Sequence, residues 1–414
     1  MSLQVNCVTV AFPAILTTMS NTDPPTAASR PHHIPALDGI RALAILLVIP
    51  HNVDLLRPPL PLAAYPVALL MHSGWIGVQL FFVLSGFLIT GNLLDSRGAA
   101  NYFGVFFGRR ALRILPLYFA VLIVTFVVLP ALGAMPEPLR ASASHQIWLW
   151  TFLANWTAPF GRAVFGFGHF WSLAVEEQFY LLWPFLVLFC ARPVLLRCCF
   201  ALIVTALLVR LVMLWSRFPT DAIYMFTVCR MDALACGAAA AVLVRTPAAL
   251  VRISDSTPAI ATTAVITLAV TVLGTSELAM YDPRTLSLGY TTLSFAFALI
   301  ISLTTVPTTG VVKGVMRVLT WRPLRLVGRY SYGMYIFHLP LHVFFGMPLL
   351  ARLTPHVTPL TAITYTVCVT LATFVVAAAS YELFERRCLA LKRYLVPAGV
   401  RHPTAQLRAA DDRL

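Results

Sequence analysis

Charged side chains are scarce in this chain of 414 residues. Asp, Glu, Lys and Arg together make up 11% of the sequence, whereas hydrophobic residues make up 59% and the mean hydropathy is +0.81. A soluble domain has about 25% charged residues. The composition therefore excludes a soluble globular protein and predicts an all-α, polytopic integral membrane bundle of about ten helices.

Cysteine pairs with ligand spacing are also lacking. The eight cysteines are scattered and none forms a CxxC pair, so we expect neither a zinc site nor a disulfide framework. Acidic residues are few, with 16 against 30 basic residues and a net charge of +14. In a membrane protein this excess indicates basic cytoplasmic loops, and we expect contact with membrane lipids rather than with nucleic acid.

The N-terminal residues lack the features of a cleaved signal peptide. No Lys or Arg precedes the mildly apolar residues 7–16, and no clear cleavage site follows them. Residues 1–36 are instead predicted to form a disordered cytoplasmic leader, with Met19 as an alternative start. The membrane domain is predicted at 37–385, and a basic cytoplasmic tail at 386–414.

The chain contains many long apolar segments. A helix that crosses a bilayer needs about 20 apolar residues. The candidate spans are 38–56, 74–94, 114–133, 173–190, 197–215, 225–244, 258–274, 288–306, 331–350 and 360–383. The shorter apolar stretch 145–156 is interpreted as re-entrant or interfacial.

The distribution of basic residues tests this count. With the N-terminus in the cytoplasm and ten spans, 21 of the 30 basic residues fall inside and six fall outside. The other three, Arg41, Arg210 and Arg230, lie within spans. The bias supports ten spans with both termini in the cytoplasm, because Lys and Arg accumulate in cytoplasmic loops.

The first span carries two ionisable groups, Arg41 and His51. Arginine is permanently cationic and suits phosphates, and histidine exchanges a proton near neutral pH. Ten residues at about 1.5 Å each separate them by roughly 15 Å along a helix. The pair indicates a catalytic site that reaches across the bilayer; the alternative is an arginine that extends to the surface and a histidine that bonds a neighbouring helix.

Two further groups of ionisable residues stand out. Arg110 and Arg113 share a helix face at i,i+3 and are candidates for binding a phosphorylated cytoplasmic ligand, or for ordinary membrane anchoring. Glu176 and Glu177 lie a few residues inside an apolar span, where carboxylates need a partner or a role. They are candidate catalytic residues, or members of a structural contact with Arg230.

The remaining candidates are predicted to contact substrate. Arg230 and Asp232 lie at a depth similar to that of the glutamates, and Trp171 belongs to an aromatic outer loop, 134–172, that either stacks on sugars or forms an interfacial belt. His338 lies four residues before a second histidine, a spacing that can bind a metal. No third ligand is near in sequence, so we expect no metal.

Six motifs together resemble one family. They are "LDGIRALAILLVIPH", "GVQLFFVLSGFLIT", "FFGRRALRILPLYF", "FWSLAVEEQFYLLWP", "RMDALACG" and "SYGMYIFHLPL". In this order they are similar to the membrane acyltransferase-3 proteins, which include bacterial O-acetyltransferases of lipopolysaccharide, exopolysaccharide and peptidoglycan. The resemblance covers roughly residues 35–385.

The resemblance implies an acyl-CoA donor, most often acetyl-CoA, on the cytoplasmic side of the bacterial inner membrane. It implies a hydroxyl acceptor on a carbohydrate or lipid-linked glycan, such as lipopolysaccharide O-antigen or exopolysaccharide. By the same resemblance Arg41 and His51 are the paired catalytic residues of the first span, Arg110 and Arg113 bind acyl-CoA, and His338 is the late histidine. Alternatives are transfer to a small metabolite such as a macrolide, or proton-coupled transport.

One spacing departs from the family pattern. The family usually has ten residues between the first-span arginine and histidine, and this chain has nine. Positions ten apart differ by about 80° around a helix, whereas positions eleven apart nearly coincide. Pro50 directly precedes His51, and we expect a local rewinding there to restore the facing.

Overall fold

The computed structural model describes residues 34–56, 61–275, 278–354 and 356–398, and within these ranges the chain is helical with no β-strand. The α-helices are α1 (Pro35–Asn52), α2 (Tyr65–His72), α3 (Ile76–Asp95), α4 (Tyr102–Ile123), α5 (Leu129–Ala131), α6 (Glu137–Ser142), α7 (Ile147–Trp150), α8 (Ala154–Thr157), α9 (Trp171–Phe189), α10 (Arg192–Trp215), α11 (Thr220–Met225), α12 (Thr227–Val244), α13 (Pro247–Asp255), α14 (Thr257–Gly274), α15 (Tyr290–Leu303), α16 (Gly310–Leu319), α17 (Arg322–Leu341), α18 (Met347–Leu353), α19 (Pro359–Ser380) and α20 (Arg386–Ala390). The predicted all-α fold is confirmed.

Nine helical runs in the described ranges are long and apolar enough to cross a membrane. They are Tyr65–Asp95, Tyr102–Ala131, Gly168–Phe189, Arg192–Trp215, Thr220–Val244, Thr257–Gly274, Thr285–Leu303, Arg322–Leu353 and Pro359–Tyr394. Each overlaps one predicted span, from the second to the tenth. The first predicted span, 38–56, forms the 18-residue α1, which is not among the nine. The chain is a multi-pass membrane protein.

The other sequence predictions concern the stretch 145–156 and the two ends of the chain. The apolar stretch 145–156 forms two four-residue helices, α7 and α8, and not a span. Residues 1–33 of the predicted leader, Met19 among them, and 399–414 of the predicted tail lie outside the described residues. The last helical run continues to Tyr394, so the first part of the predicted basic tail extends the final span.

α1 lies between α3 and α17, and glycines let these helices approach. The added Cβ of any other residue at Gly77 would collide with the carbonyl oxygen of Ala44, and one at Gly328 with that of Asp38. Close backbone contact of this kind is a common way to join helices in a membrane. It fixes α1, with its Arg41, in the middle of the bundle.

α3 and α12 are also joined by close backbone contact. Gly86 of α3 lies against the backbone of Leu234, and Gly237 of α12 lies against the backbone of Val83. Because each helix supplies one glycine to the contact, the two backbones meet at two points. Five buried alanines of α12 add only small side chains between this helix and its neighbours.

Candidate active site

A cleft lies between α1, α3, α4, α9 and α17, and its space amounts to about 820 Å³ when the open solvent at its mouth is included. Its polar and ionisable lining residues are Arg41, Ser85, Arg110, Arg113, Ser172, Glu176, Tyr180, Ser331, Tyr332 and Tyr335. Apolar side chains of α3 and α9 complete the walls. Binding sites for small molecules are clefts of this kind, mostly apolar with a few polar groups that converge.

Three arginines give the cleft its positive charge. Arg41 donates a hydrogen bond from Nη1 to Asp38 Oδ1 at 3.0 Å, one helical turn earlier on α1. Arg110 and Arg113 reach the cleft from α4, where their i,i+3 spacing puts both on one face, as predicted. Arg109, one residue earlier, donates from Nε to the carbonyl of Leu395 at 2.8 Å.

An acidic group faces these arginines. The hydroxyl of Tyr180 donates to Glu176 Oε2 at 2.8 Å, one turn along α9. Since that proton is committed to Glu176, the hydroxyl of Ser85 on α3 donates to the Tyr180 oxygen. The Arg110 guanidinium lies 5.8 Å from the centre of the Tyr180 ring. The cleft therefore holds the hydrogen-bonded Glu176 carboxylate close to arginine side chains.

Glu177 is turned away from this arrangement. It does not line the cleft, and its Oε1 atom is buried without a hydrogen-bond partner in the described part of the chain. It still interacts electrostatically with Glu176 and Arg110. The structure thus separates the two glutamates that the sequence grouped together.

His51 also lies outside the cleft. α1 runs as one α-helix from Pro35 to Asn52, with Pro50 inside it. Of Arg41 and His51, Arg41 alone lines the cleft. Since His51 lies roughly 15 Å farther along α1 than Arg41, the rewinding at Pro50 stays a prediction.

The His51 imidazole is held by the last turn of α2. Its Nδ1 atom lies 3.1 Å from the carbonyl oxygen of Met71. A carbonyl oxygen only accepts, so Nδ1 carries the proton and Nε2 keeps a lone pair. That tautomer suits a general base or a nucleophile.

A second imidazole, which sequence reasoning missed, lies beside His51. His72 Nδ1 is 3.3 Å from Asp54 Oδ2 and 2.7 Å from the carbonyl oxygen of Ala68. His72 interacts electrostatically with His51. One indication of this histidine was present in the sequence: Asp54 and His72 lie at the two ends of the segment that joins the first two apolar segments.

His338 belongs to a third group. It is fully buried, and its Nδ1 atom lies 2.7 Å from the carbonyl oxygen of Tyr335. Its ring centre is 4.6 Å from that of His169, another residue that sequence reasoning missed. Both ring nitrogens of His169 and Nε2 of His338 have no hydrogen-bond partner among the described residues. His342 instead contacts the hydroxyl of Tyr365 at 2.8 Å.

Arg230 has partners other than the predicted glutamates. The guanidinium bonds the side-chain oxygen of Gln79, and four aromatic rings surround it, with the Tyr290 ring centre 4.2 Å away. Trp171 supplies another of these rings and is itself buried. No ion pair joins Arg230 to a glutamate in the described residues, so the expected Glu–Arg contact is not formed.

Asp232 is likewise engaged in packing. Its Oδ2 atom lies 2.9 Å from Nη2 of Arg210, and neither side chain is exposed. Thr291 donates to the same carboxylate oxygen at 2.8 Å. The three residues predicted to contact substrate on this side, Arg230, Asp232 and Trp171, therefore lie together behind the cleft and not in it.

Comparison with known proteins decides the family. A family model described as "Acyltransferase domain" matches residues 34–382, which includes every helix that lines the cleft. The chain belongs to this acyltransferase family. The resemblance drawn from the six motifs is confirmed. No solved structure matches the chain at a significant level.

Three relatives of this acyltransferase-family chain carry descriptive names. It is 28% identical over 372 residues to the peptidoglycan O-acetyltransferase OatA of Listeria monocytogenes, covering 85% of this chain and 55% of that protein. It is 26% identical to the O-acetyltransferase OatA of Staphylococcus aureus, with 76% and 51% covered. It is 29% identical to the putative peptidoglycan O-acetyltransferase YrhL of Bacillus subtilis, with 75% and 49% covered. The chain thus spans about half the length of these relatives.

Proposed function

We propose that this protein is an integral membrane O-acyltransferase that moves an acetyl group from acetyl-CoA to a hydroxyl of a cell-envelope carbohydrate. The observation that carries the proposal is the cleft, in which three arginines face a hydrogen-bonded carboxylate. The family and the names of its relatives support the reaction. We place the protein in the bacterial inner membrane, with both termini in the cytoplasm.

The arginine side of the cleft is the donor site in this proposal. Arg110 and Arg113, with Arg41, bind phosphates of acetyl-CoA, because guanidinium groups form paired, charge-assisted hydrogen bonds to phosphate oxygens. The pantetheine arm then lies along apolar residues of the same cleft, among them Phe81 and Leu84. This arrangement directs the thioester into the bundle.

The reaction itself breaks the acyl C–S bond and forms a C–O bond. His51 takes the proton of the acceptor hydroxyl at Nε2, or first accepts the acyl group there and passes it on. The proton released by the acceptor hydroxyl passes through His51 to the leaving thiolate, which departs as coenzyme A. Glu176 orients the reacting groups through Tyr180 and Ser85. Because Arg41 and His51 lie roughly 15 Å apart along α1, the donor site and the acceptor site are at different depths.

The relatives' names favour peptidoglycan as the acceptor, and lipopolysaccharide or exopolysaccharide hydroxyls are the alternatives. Mass spectrometry of envelope glycans from a deletion strain and its parent distinguishes them. The fraction that loses one acetyl mass per unit contains the acceptor. Unchanged acetylation in every glycan fraction contradicts a carbohydrate acceptor.

A second experiment tests the reaction directly. Purified protein in detergent, supplied with acetyl-CoA and the identified glycan, should release free thiol at a rate that depends on both. Thiol release that requires only acetyl-CoA indicates hydrolysis, and acetylation of a small metabolite in place of the glycan assigns a different acceptor class. Absence of thiol release with every acceptor, together with proton movement in vesicles, would identify a transporter.

A further inference from the structure

The end of the described chain forms a short strap over α4. Residues 391–398, which we call the C-terminal strap, begin with the 3-10 turn Leu391–Tyr394. Asn101 holds the far end on both sides: its amide donates to the carbonyl of Val396 at 2.8 Å, and its oxygen accepts from the backbone nitrogen of Ala398 at 2.7 Å. The backbone of Ala100 also bonds Ala398.

The middle of the strap is fixed beside the arginines of the cleft. Arg109 donates from Nε to the carbonyl of Leu395 at 2.8 Å. Gly108 accommodates the Leu395 side chain, which a Cβ at that position would crowd. The strap therefore runs along the same helical turn that presents Arg110 and Arg113.

This path brings a fifth cation to the cluster. Lys392 is half-buried on the strap and interacts electrostatically with Arg113, Arg110, Arg109 and Arg41. Within the described residues, Arg110, Arg113 and Lys392 form no ion pair with a carboxylate, whereas Arg41 pairs with Asp38. The neighbouring Glu385 accepts a hydrogen bond from Ser380 at 3.3 Å and interacts electrostatically with Arg113 without forming an ion pair with it.

Five cations held close together outnumber the carboxylates Asp38, Glu176, Glu177 and Glu385 that interact with them, and a bound anion lowers the cost of this excess positive charge. Four cations around Lys392 are more than one phosphate group needs. They match a nucleotide that carries several phosphates, and coenzyme A has a diphosphate and a separate 3′-phosphate. The Lys392 ammonium group, on its flexible side chain, can reach such a phosphate and attract it as a point charge.

We propose that the C-terminal strap forms one wall of the donor site and that Lys392 binds a phosphate of the 3′-phospho-ADP portion of coenzyme A. This inference rests on the proposed function, since it assigns a further residue to the acetyl-CoA site. It makes the end of the last helical run, and the residues directly after it, part of substrate recognition.

Binding of coenzyme A to the purified full chain in detergent tests the assignment. Lys392→Gln should weaken binding by about five- to tenfold, the range expected for loss of one partly exposed charge-assisted contact. Lys392→Arg should restore most of the affinity. Arg393→Gln is the matched control, because Arg393 is exposed on the same turn and contacts Tyr394 at 2.7 Å; it should change affinity by less than about twofold.

The possible results separate two failures. If the Lys392→Gln variant binds coenzyme A as tightly as the wild type, Lys392 has no role in binding. If Lys392→Gln and Arg393→Gln lose the same affinity, Lys392 contributes only general surface charge. If wild-type protein binds adenosine 3′,5′-bisphosphate but not coenzyme A, the nucleotide site survives and the proposed acetyl-CoA reaction fails. If the wild type binds neither, both proposals fail.

Chemical labelling gives a readout that needs no variant. The chain has only two lysines, Lys313 and Lys392, and Lys313 is exposed on α16. At a reagent excess that modifies both in the free protein, adenosine 3′,5′-bisphosphate should protect Lys392 severalfold and leave Lys313 unchanged. Equal modification of Lys392 with and without the nucleotide contradicts the assignment.

The strap's position is tested through Asn101. Asn101→Ala removes both side-chain hydrogen bonds at the strap's far end and touches none of the five cations. We expect a higher KM for acetyl-CoA with an unchanged kcat, because the strap loses its fixed path while the reacting groups keep theirs. A fall in kcat with unchanged KM would show that the strap serves something other than donor binding.

Discussion

Arg210 Nη2 and Asp232 Oδ2 lie 2.9 Å apart, and neither side chain is exposed to solvent. The pair joins α10 to α12. Arg210 also donates to the carbonyl of Cys229 and to Thr291 Oγ1, and Thr291 donates back to Asp232. A buried pair with this many hydrogen bonds holds the bundle together, which is why we leave Asp232 out of the substrate site.

Asp232→Ala should lower the free energy of unfolding by about 3–5 kcal/mol, because it leaves the Arg210 charge buried without its partner. Thermal unfolding of the purified protein in detergent measures the change. Asp255→Ala, at an exposed position, should change stability by no more than about 0.5 kcal/mol. Normal stability combined with weaker acceptor binding would return Asp232 to the substrate site.

Arg113→Gln should raise the KM for acetyl-CoA by about tenfold or more and leave the acceptor KM nearly unchanged. The physical reason is loss of a charge-assisted phosphate contact in the cleft. Initial-rate kinetics with each substrate varied in turn measure both constants. Arg252→Gln removes the same charge from an exposed helix outside the cleft and serves as the control. A change confined to the acceptor KM would contradict the donor assignment.

Glu176→Gln should lower kcat by about a hundredfold or more without loss of folded protein, because Glu176 alone of the two glutamates lines the cleft. Glu177→Gln should have a smaller effect, since Glu177 acts on the site only through its charge. Turnover at saturating substrates, normalised to folded protein, compares the two. The reverse ranking would assign the carboxylate role to Glu177.

His51→Ala should lower the rate of transfer by about a hundred- to ten-thousandfold, because Nε2 is the available base at the C-terminal end of α1. A single-turnover experiment with labelled acetyl-CoA follows both acyl transfer and any acyl-enzyme. His356→Ala, at an exposed position on another loop, should retain full activity. Residual transfer in the His51 variant that disappears after His72→Ala would move the base to the neighbouring imidazole.

The fold was predictable from the sequence because helix position in a membrane depends on the length of apolar segments. Nine of the ten predicted spans overlap helices long enough to cross a membrane. The π-turns were not predictable. They extend four of the helical runs, at Val124–Val128, Thr285–Gly289, His342–Gly346 and Tyr381–Glu385, and no local residue pattern marks them.

The site was only partly predictable, for a related reason. The shared face of Arg110 and Arg113 is local geometry, and the structure keeps it. The contact of His169 with His338 and the position of Lys392 depend on helices far apart in the sequence. Trp171 and Arg230 were predicted to contact substrate because an aromatic loop residue and a charged residue in a span are both typical of binding sites. In the structure they pack against each other instead.

The paired glycine contact of α3 and α12 has a consequence for the working enzyme. Gly86 and Gly237 lock the two backbones at two points, so neither helix can slide past the other without first lifting away. These helices therefore form a stationary frame. Because glycine contacts also join α1 to α3 and to α17, any displacement that admits the substrates of the proposed reaction is left to the other walls of the cleft, on α4 and α9.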